Sequence, residues 1–307
     1  MRERRWRPGA PLDVRLTLAP HRRGSGDPAW QATPDGAIWR TSRTPEGPGT
    51  LRVLVDARAA EVVGQAWGPG GPWLLETLPR LLGADDPVAD FRVLMERLEA
   101  GGHTLIRELA SRHSGLRLSV TARVFEALVP AVLEQKVVGR EAWRAWRWLL
   151  RAYGEPAPGP APSGMRVFPE PEVWRRIPSW DWHRAGAEAV RARTIVNAAL
   201  HAGKLESAAP AEADRLLRAL PGVGVWTSAE TRQRAHGDPD AVSVGDYHLP
   251  SLVGWSLTGR KTDDAGMLEL LAPYRGQRHR VTRLLELGGR RPPARGPRMS
   301  VRDYRSF

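Results

Sequence analysis

Leu220-Pro221-Gly222-Val223-Gly224-Val225-Trp226-Thr227, with Asp246 following in Val244-Gly245-Asp246-Tyr247, decides how this chain is read. Apolar-periodic segments flank two glycines spaced G-x-G, a pattern that makes a tight hairpin with its backbone N–H groups facing outward. Such a nest at the start of the next helix is an anion site that suits a phosphate. A carboxylate one helix and one loop later, at Asp246, could then meet a sugar held by that phosphate. Taken alone, the glycines are more often a packing corner between two helices, with glycine at a C-cap.

The rest of the composition narrows the partner. The 307 residues allow two domains with sizeable cores. Lys+Arg 46 against Asp+Glu 34 gives a formal charge of +12. A chain this basic is expected to meet a polyanion, and nucleic acid is the commonest one. Nearly all the positive charge is Arg, with Lys only at 136, 204 and 261. Arg forks suit phosphate, although a coding bias would also produce the excess. The absence of Cys excludes disulfides, thiolate zinc sites and iron–sulfur clusters. No apolar run approaches the roughly 20 residues of a membrane span. Met1-Arg2-Glu3-Arg4-Arg5-Trp6 lacks the apolar stretch of a signal peptide. The expectation is a cytoplasmic protein that meets no membrane.

Residues 11 to about 75 read as strands. Leu12 to Leu18 and Leu51 to Val55 alternate with period two. Turn signals stand at 24–28, 34–36 and 45–49, with Trp30 and Trp39 flanking the middle turn. Leu74, Leu75, Leu78, Leu81 and Leu82 then fall at helical spacing. From Pro87 the pattern is helical almost throughout, with one long helix over 125–150 that ends toward Gly154. The run 155–164 is too proline-rich for any regular element. Helices resume at 170–174, 185–202 and 210–219, the last leading into the hairpin. The fold class is α+β: a small antiparallel sheet domain over 1–90, an all-α domain over 91–288, and a basic extended tail over 289–307.

Hairpin, Trp226 and Asp246 in register resemble the helix-hairpin-helix DNA glycosylases, and in detail the 3-methyladenine DNA glycosylase II branch. The similarity is most specific over 115–154 and 185–288 and weak over 1–90. The resemblance implies a glycosylase of base excision repair that removes alkylated purines from double-stranded DNA containing a damaged base. It implies action as a monomer and no cofactor. Branches carrying a four-cysteine cluster are excluded. Two alternatives stay open: the same fold acting on a deaminated, oxidised or bulky lesion, and a hairpin DNA-binding protein without catalysis.

Cleaving a base from deoxyribose builds positive charge on the sugar, so the chemistry needs an anion beside C1′ and a place for the flipped base. Asp246 is the candidate anion, with the register of the resembled family placing the catalytic carboxylate there. An N-cap for a helix starting near His248 is its bland alternative. Lyase-active relatives carry Lys at 226, which forms a Schiff base with the sugar. Trp226 cannot, so water is the expected nucleophile. Its indole offers a stacking face to a cationic alkylated base, unless it is simply core.

The resemblance further implies a base pocket that includes Gln135, Glu230 and Arg283. The last two stand where relatives keep aromatic residues. It implies DNA contacts from Gly222, Val223, Gly224 and Thr227. Lys136 replaces the family's apolar wedge: its stem could fill the gap left by the flipped base, or it is a solvated surface charge. The histidines show no metal spacing. A monovalent cation could sit on the backbone carbonyls of Leu220 and Gly222.

Overall fold

The computed structural model describes residues 1–98 and 103–293. The expected tail falls largely outside them. Five strands form one antiparallel sheet: β1 (Arg2–Trp6), β2 (Trp30–Ala32), β3 (Ile38–Thr44), β4 (Gly47–Asp56) and β5 (Glu61–Trp67), in the order β1-β5-β4-β3-β2. The segment 12–18 is not a strand. It forms a short helix, α1 (Val14–Leu18), because Asp13 Oδ1 accepts the Leu16 amide at 2.9 Å and caps it. Val14, Thr17 and Leu18 share its buried face, a helical spacing that the short alternation concealed. The outer strand is instead Arg2–Trp6, paired along its length with β5.

Two short helices, α2 (Gly71–Glu76) and α3 (Leu78–Leu81), cover the sheet and bury the leucines predicted there. The helical part follows with α4 (Val88–Arg97), α5 (Thr104–Arg112), α6 (Val124–Leu133) and α7 (Gly139–Tyr153). The single helix expected over 125–150 is therefore two helices. The break lies at 134–138, where Lys136 takes φ +55, a left-handed conformation incompatible with a continuing helix. Within the proline-rich run a two-residue strand, β6 (Glu155–Pro156), pairs with β7 (Arg166–Val167). Then come α8 (Pro171–Arg176), α9 (Ser179–Ala185), α10 (Ala189–Leu200), α11 (Ala202–Glu206), α12 (Ala213–Arg218), α13 (Val225–Ala235), α14 (Leu249–Thr258), α15 (Asp264–Leu271) and α16 (Arg278–Gly288).

Helix α6 is the axis of the helical part, with every residue except Glu126 buried. Its first amides, Val124 and Phe125, donate to the Glu206 carboxylate at 3.0 Å each, so α11 caps α6 from outside. Glu126 accepts from Arg40 Nη2 (3.2 Å), Ser42 Oγ (2.8 Å) and the Arg43 amide (3.0 Å). One carboxylate thus fixes β3 on α6, and with it the sheet on the helices. Two helical cores result. One joins α6 and α7 to the 168–235 region, and the other joins α4 and α5 to α14, α15 and α16. Among the described residues, no helix is long and apolar enough to cross a membrane.

Candidate active site and hairpin

Residues 219–224 connect α12 to α13 as a tight hairpin. Gly222 sits at φ +87, and a Cβ there would collide with Thr194 Oγ1, so only glycine fits. Gly224 differs: its φ is −95, and an added Cβ meets nothing within 4 Å. The backbone at Gly224 is therefore open to solvent. Directly behind it begins α13, whose first-turn amides lack intrahelical acceptors and carry no side-chain cap. That is the geometry of an anion site.

The hairpin side chains depart from the expected DNA contacts. Val223 is buried in the helical core, and its amide donates to Leu220 O at 3.0 Å. Thr227 is 2% exposed, and its Oγ1 accepts from Gln135 Nε2 at 2.8 Å. The same Gln135 nitrogen donates to Gly222 O at 2.9 Å. Gln135 therefore braces the hairpin from the α6–α7 turn and does not line the cavity described below. Neither Val223 nor Thr227 presents its side chain to a phosphate; the surface available there is backbone. The Leu220 and Gly222 carbonyls, the expected cation ligands, each already accept one hydrogen bond. Among the described residues no His, Asp and Glu cluster could hold a metal ion. Lys136 projects, exposed, from the turn next to Gln135.

Asp246 stands half-buried before α14. Gly245 turns the chain at φ +91, and its amide donates to Asp264 Oδ1 at 3.0 Å. Asp246 Oδ1 accepts the amides of His248 (2.7 Å) and Leu249 (2.8 Å), so the carboxylate caps α14. The capping reading and the catalytic one are compatible, because Oδ2 stays outside the cap. Oδ2 takes one hydrogen bond, from Trp226 Nε1 at 3.2 Å. The indole is thus tied to the carboxylate and is absent from the cavity wall.

Beside Asp246 lies a cavity of about 130 Å³. Glu230 and Arg283, both expected from the sequence, line it. Burial alone would raise the Glu230 carboxyl, but the Arg234 charge and the Ser243 hydroxyl outweigh it and hold it below its ordinary value. Ser243 Oγ donates to Glu230 Oε1 at 2.5 Å and Arg234 Nη1 donates to Oε2 at 2.7 Å. Arg234 Nε donates to Pro20 O at 3.1 Å, which draws the segment after α1 into the wall. Arg283 pairs with Glu286 one turn on. Sequence reading missed His21, Ser119, Arg234 and His279, which also line the cavity. They are scattered over more than 250 residues with no common spacing, and they meet only where the segment after α1, the connection from α5 to α6, α13 and α16 come together.

No family model matches the chain. In sequence it is 30% identical over 246 residues to a Mycobacterium tuberculosis protein named "Probable bifunctional transcriptional activator/DNA repair enzyme AlkA". That match covers 75% of this chain and 46% of the relative, so the chain spans less than half of that protein's length. In structure it is similar to a 3-methyladenine DNA glycosylase from Archaeoglobus fulgidus, with TM-score 0.75 at 17% identity, covering 92% of this chain and 97% of that one. It is also similar to the 8-oxoguanine glycosylase/lyase of Clostridium acetobutylicum, with TM-score 0.69 at 11% identity, covering 93% and 96%. In fold the chain is similar to these DNA glycosylases, and in sequence to part of a DNA repair enzyme.

Proposed function

We propose that the chain is a monofunctional DNA glycosylase that hydrolyses the N-glycosidic bond of a modified purine in duplex DNA. The carrying observation is the placement of Asp246: one oxygen locked in a helix cap, the other held by Trp226 at the mouth of a cavity. The backbone at Gly224 and the start of α13 grip a phosphate, and the damaged nucleotide swings out of the stack. As the C1′–N bond breaks, its electron pair leaves with the base. The positive charge that grows on the sugar faces the Asp246 carboxylate, and water then adds to C1′, its released proton being balanced by protonation of the departed base through solvent.

Position 226 is indole rather than amine, which supports hydrolysis without strand cleavage. Alkylated purines are the substrates that the name of the Archaeoglobus relative points to. The polar wall of Glu230 and Arg283, in a cavity without the Trp226 ring, favours a second reading in which another lesion is taken. The test is single-turnover release of free base from duplexes carrying one lesion each, with the product scored for intact abasic DNA. No base release from any lesion duplex would leave only a DNA-binding protein.

A further inference from the structure

Trp226, Glu230 and Gln233 stand four and then three residues apart on α13, so they share one helix face. That face meets the loop that carries Asp246. Gln233 Nε2 donates to Ala241 O and to Ser243 Oγ, each at 2.9 Å. Ser243 Oγ donates in turn to Glu230 Oε1 at 2.5 Å. The serine is 4% exposed, and both of these hydroxyl bonds go to α13. Its carbonyl accepts the Asp246 amide at 3.2 Å. That bond closes a β-turn over 243–246, with Gly245 at φ +91 in its third position. One residue thus closes the turn that ends on the carboxylate and clips that turn to the helix.

The turn depends on such a clip. Val242 is buried in the second helical core and Val244 packs against it. The step just before Asp246 lacks this support, since a Cβ at Gly245 would meet nothing within 4 Å. The Gly245 amide is tied to Asp264 Oδ1 on α15, and Ser243 holds the opposite flank to α13. The acceptor on α13 is itself fixed. Arg234 Nη1 donates to Glu230 Oε2 at 2.7 Å, and Arg234 Nε donates to Pro20 O at 3.1 Å. Both oxygens of Glu230 are therefore engaged within the protein, and one of them serves Ser243.

We infer that Ser243 is a positioning residue that sets where its turn presents the Asp246 carboxylate, with Glu230 as its anchor. This rests on the reading of Asp246 as the anion beside the sugar. A displacement of about 1 Å at a reacting group can cost about a hundredfold in rate, so a clip three residues from the carboxylate matters to the chemistry. Glu230 then acts through the loop rather than on the base.

The test uses the full chain and two duplexes without a base, one carrying a tetrahydrofuran ring and one a protonated pyrrolidine ring in place of the lesion sugar. They differ by one positive charge in the ring, so the ratio of their affinities reads the aim of the carboxylate apart from general DNA binding. The wild type should prefer the pyrrolidine duplex, and Asp246→Asn should abolish that preference. Ser243→Ala should lower it about tenfold with tetrahydrofuran affinity unchanged, and Ser243→Thr, which keeps the hydroxyl, should retain most of it. Full preference in folded Ser243→Ala overturns the inference, as does an equal fall in both affinities or an equal loss in Ser243→Thr. Glu230→Gln keeps an acceptor for Ser243 and removes the charge. A preference lost in Glu230→Gln but kept in Ser243→Ala makes Glu230 the charge that the ring meets, and also overturns it. No preference in the wild type, or one that survives Asp246→Asn, overturns the reading of Asp246 and this inference with it.

Discussion

The indole Nε1 of Trp226 donates to Asp246 Oδ2 at 3.2 Å, joining the second residue of α13 to the loop before α14. Asp246 Oδ1 is fixed by two backbone amides, so the indole sets the direction of the only oxygen outside the cap. An indole used in this way is a positioning residue for the carboxylate. Trp226 is not among the residues that line the cavity.

Asp246→Asn should lower single-turnover base release by about a thousandfold, since one electrostatic contact of this kind is worth roughly 3–4 kcal/mol. DNA affinity should stay similar. Trp226→Phe keeps an aromatic ring and removes the donor. A hydrogen bond to a charged group is worth about 1.5–3 kcal/mol, so kcat should drop ten- to a hundredfold with little change in KM. A Trp226→Phe enzyme at the wild-type rate would show that Asp246 holds its orientation without the indole.

The two hairpin glycines should separate in experiment. Gly224→Ala adds a methyl into open solvent at an ordinary φ, so the protein should melt as the wild type does. It should nonetheless bind every duplex more weakly, damaged or not, because the methyl stands where a phosphate approaches the amides. Gly222→Ala meets Thr194 at φ +87 and should lower the melting temperature itself. Equal DNA affinity of Gly224→Ala and wild type would make the hairpin a packing corner only.

Much of this was legible in the sequence, and the failures have specific causes. The hairpin could be read because G-x-G is a backbone requirement, and Asp246 stood out through its register with the hairpin and Trp226, its place before α14 being the cap that the sequence also allows. The sheet order could not be read: Arg2–Trp6 is an edge strand with charges at four consecutive positions, and Asp13 converts an alternating run into a helix through one hydrogen bond. The break at 134–138 was hidden because Lys136 takes a left-handed φ without being glycine or asparagine. No local signal shows that packing buries the Val223 and Thr227 side chains or that Gln135 braces the hairpin. His21 and His279 carry no local signal; burial and neighbouring guanidiniums define them.

Stability should fall as the pH drops below the ordinary histidine range. In the folded chain burial and then the guanidiniums keep His21 and His279 unprotonated, whereas the unfolded chain protonates both near pH 6.5. The folded value is depressed for a base, so unfolding takes up protons and stability is highest above that range. Each imidazole contributes a slope of about 1.4 kcal/mol per pH unit below about pH 6.5. His236, also lowered by burial, acts in the same direction. Urea unfolding between pH 7.5 and 5.5 should show this slope, and His279→Asn should reduce it. A slope unchanged in His279→Asn would mean that His279 is protonated in the folded chain.

Product DNA should retain an intact abasic site until alkali or heat cleaves it, because Trp226 cannot form an imine with the sugar. Borohydride should trap no covalent complex. A trapped adduct would identify an amine at the sugar, and Lys136→Ala would show whether it is that exposed lysine of the α6–α7 turn.

Lys136 combines an exposed ammonium with φ +55, which costs an L residue roughly 1–2 kcal/mol relative to glycine. Lys136→Gly should therefore leave the protein as stable as the wild type or more so, and any loss of excision can be assigned to the missing side chain. If the lysine stem occupies the space vacated by the flipped nucleotide, Lys136→Gly should slow excision opposite a stable pair more than opposite a mismatch. Unstacking is cheapest where pairing is already poor, so a plug matters most where pairing is strong. Lys136→Leu restores apolar filling and removes one phosphate contact. It should keep most of the activity while the salt dependence of binding becomes shallower by about one counterion. Equal excision by Lys136→Gly and wild type on both substrates would make Lys136 a solvated charge and move the plug to another exposed side chain, with Tyr247, 82% exposed beside Asp246, the next to replace.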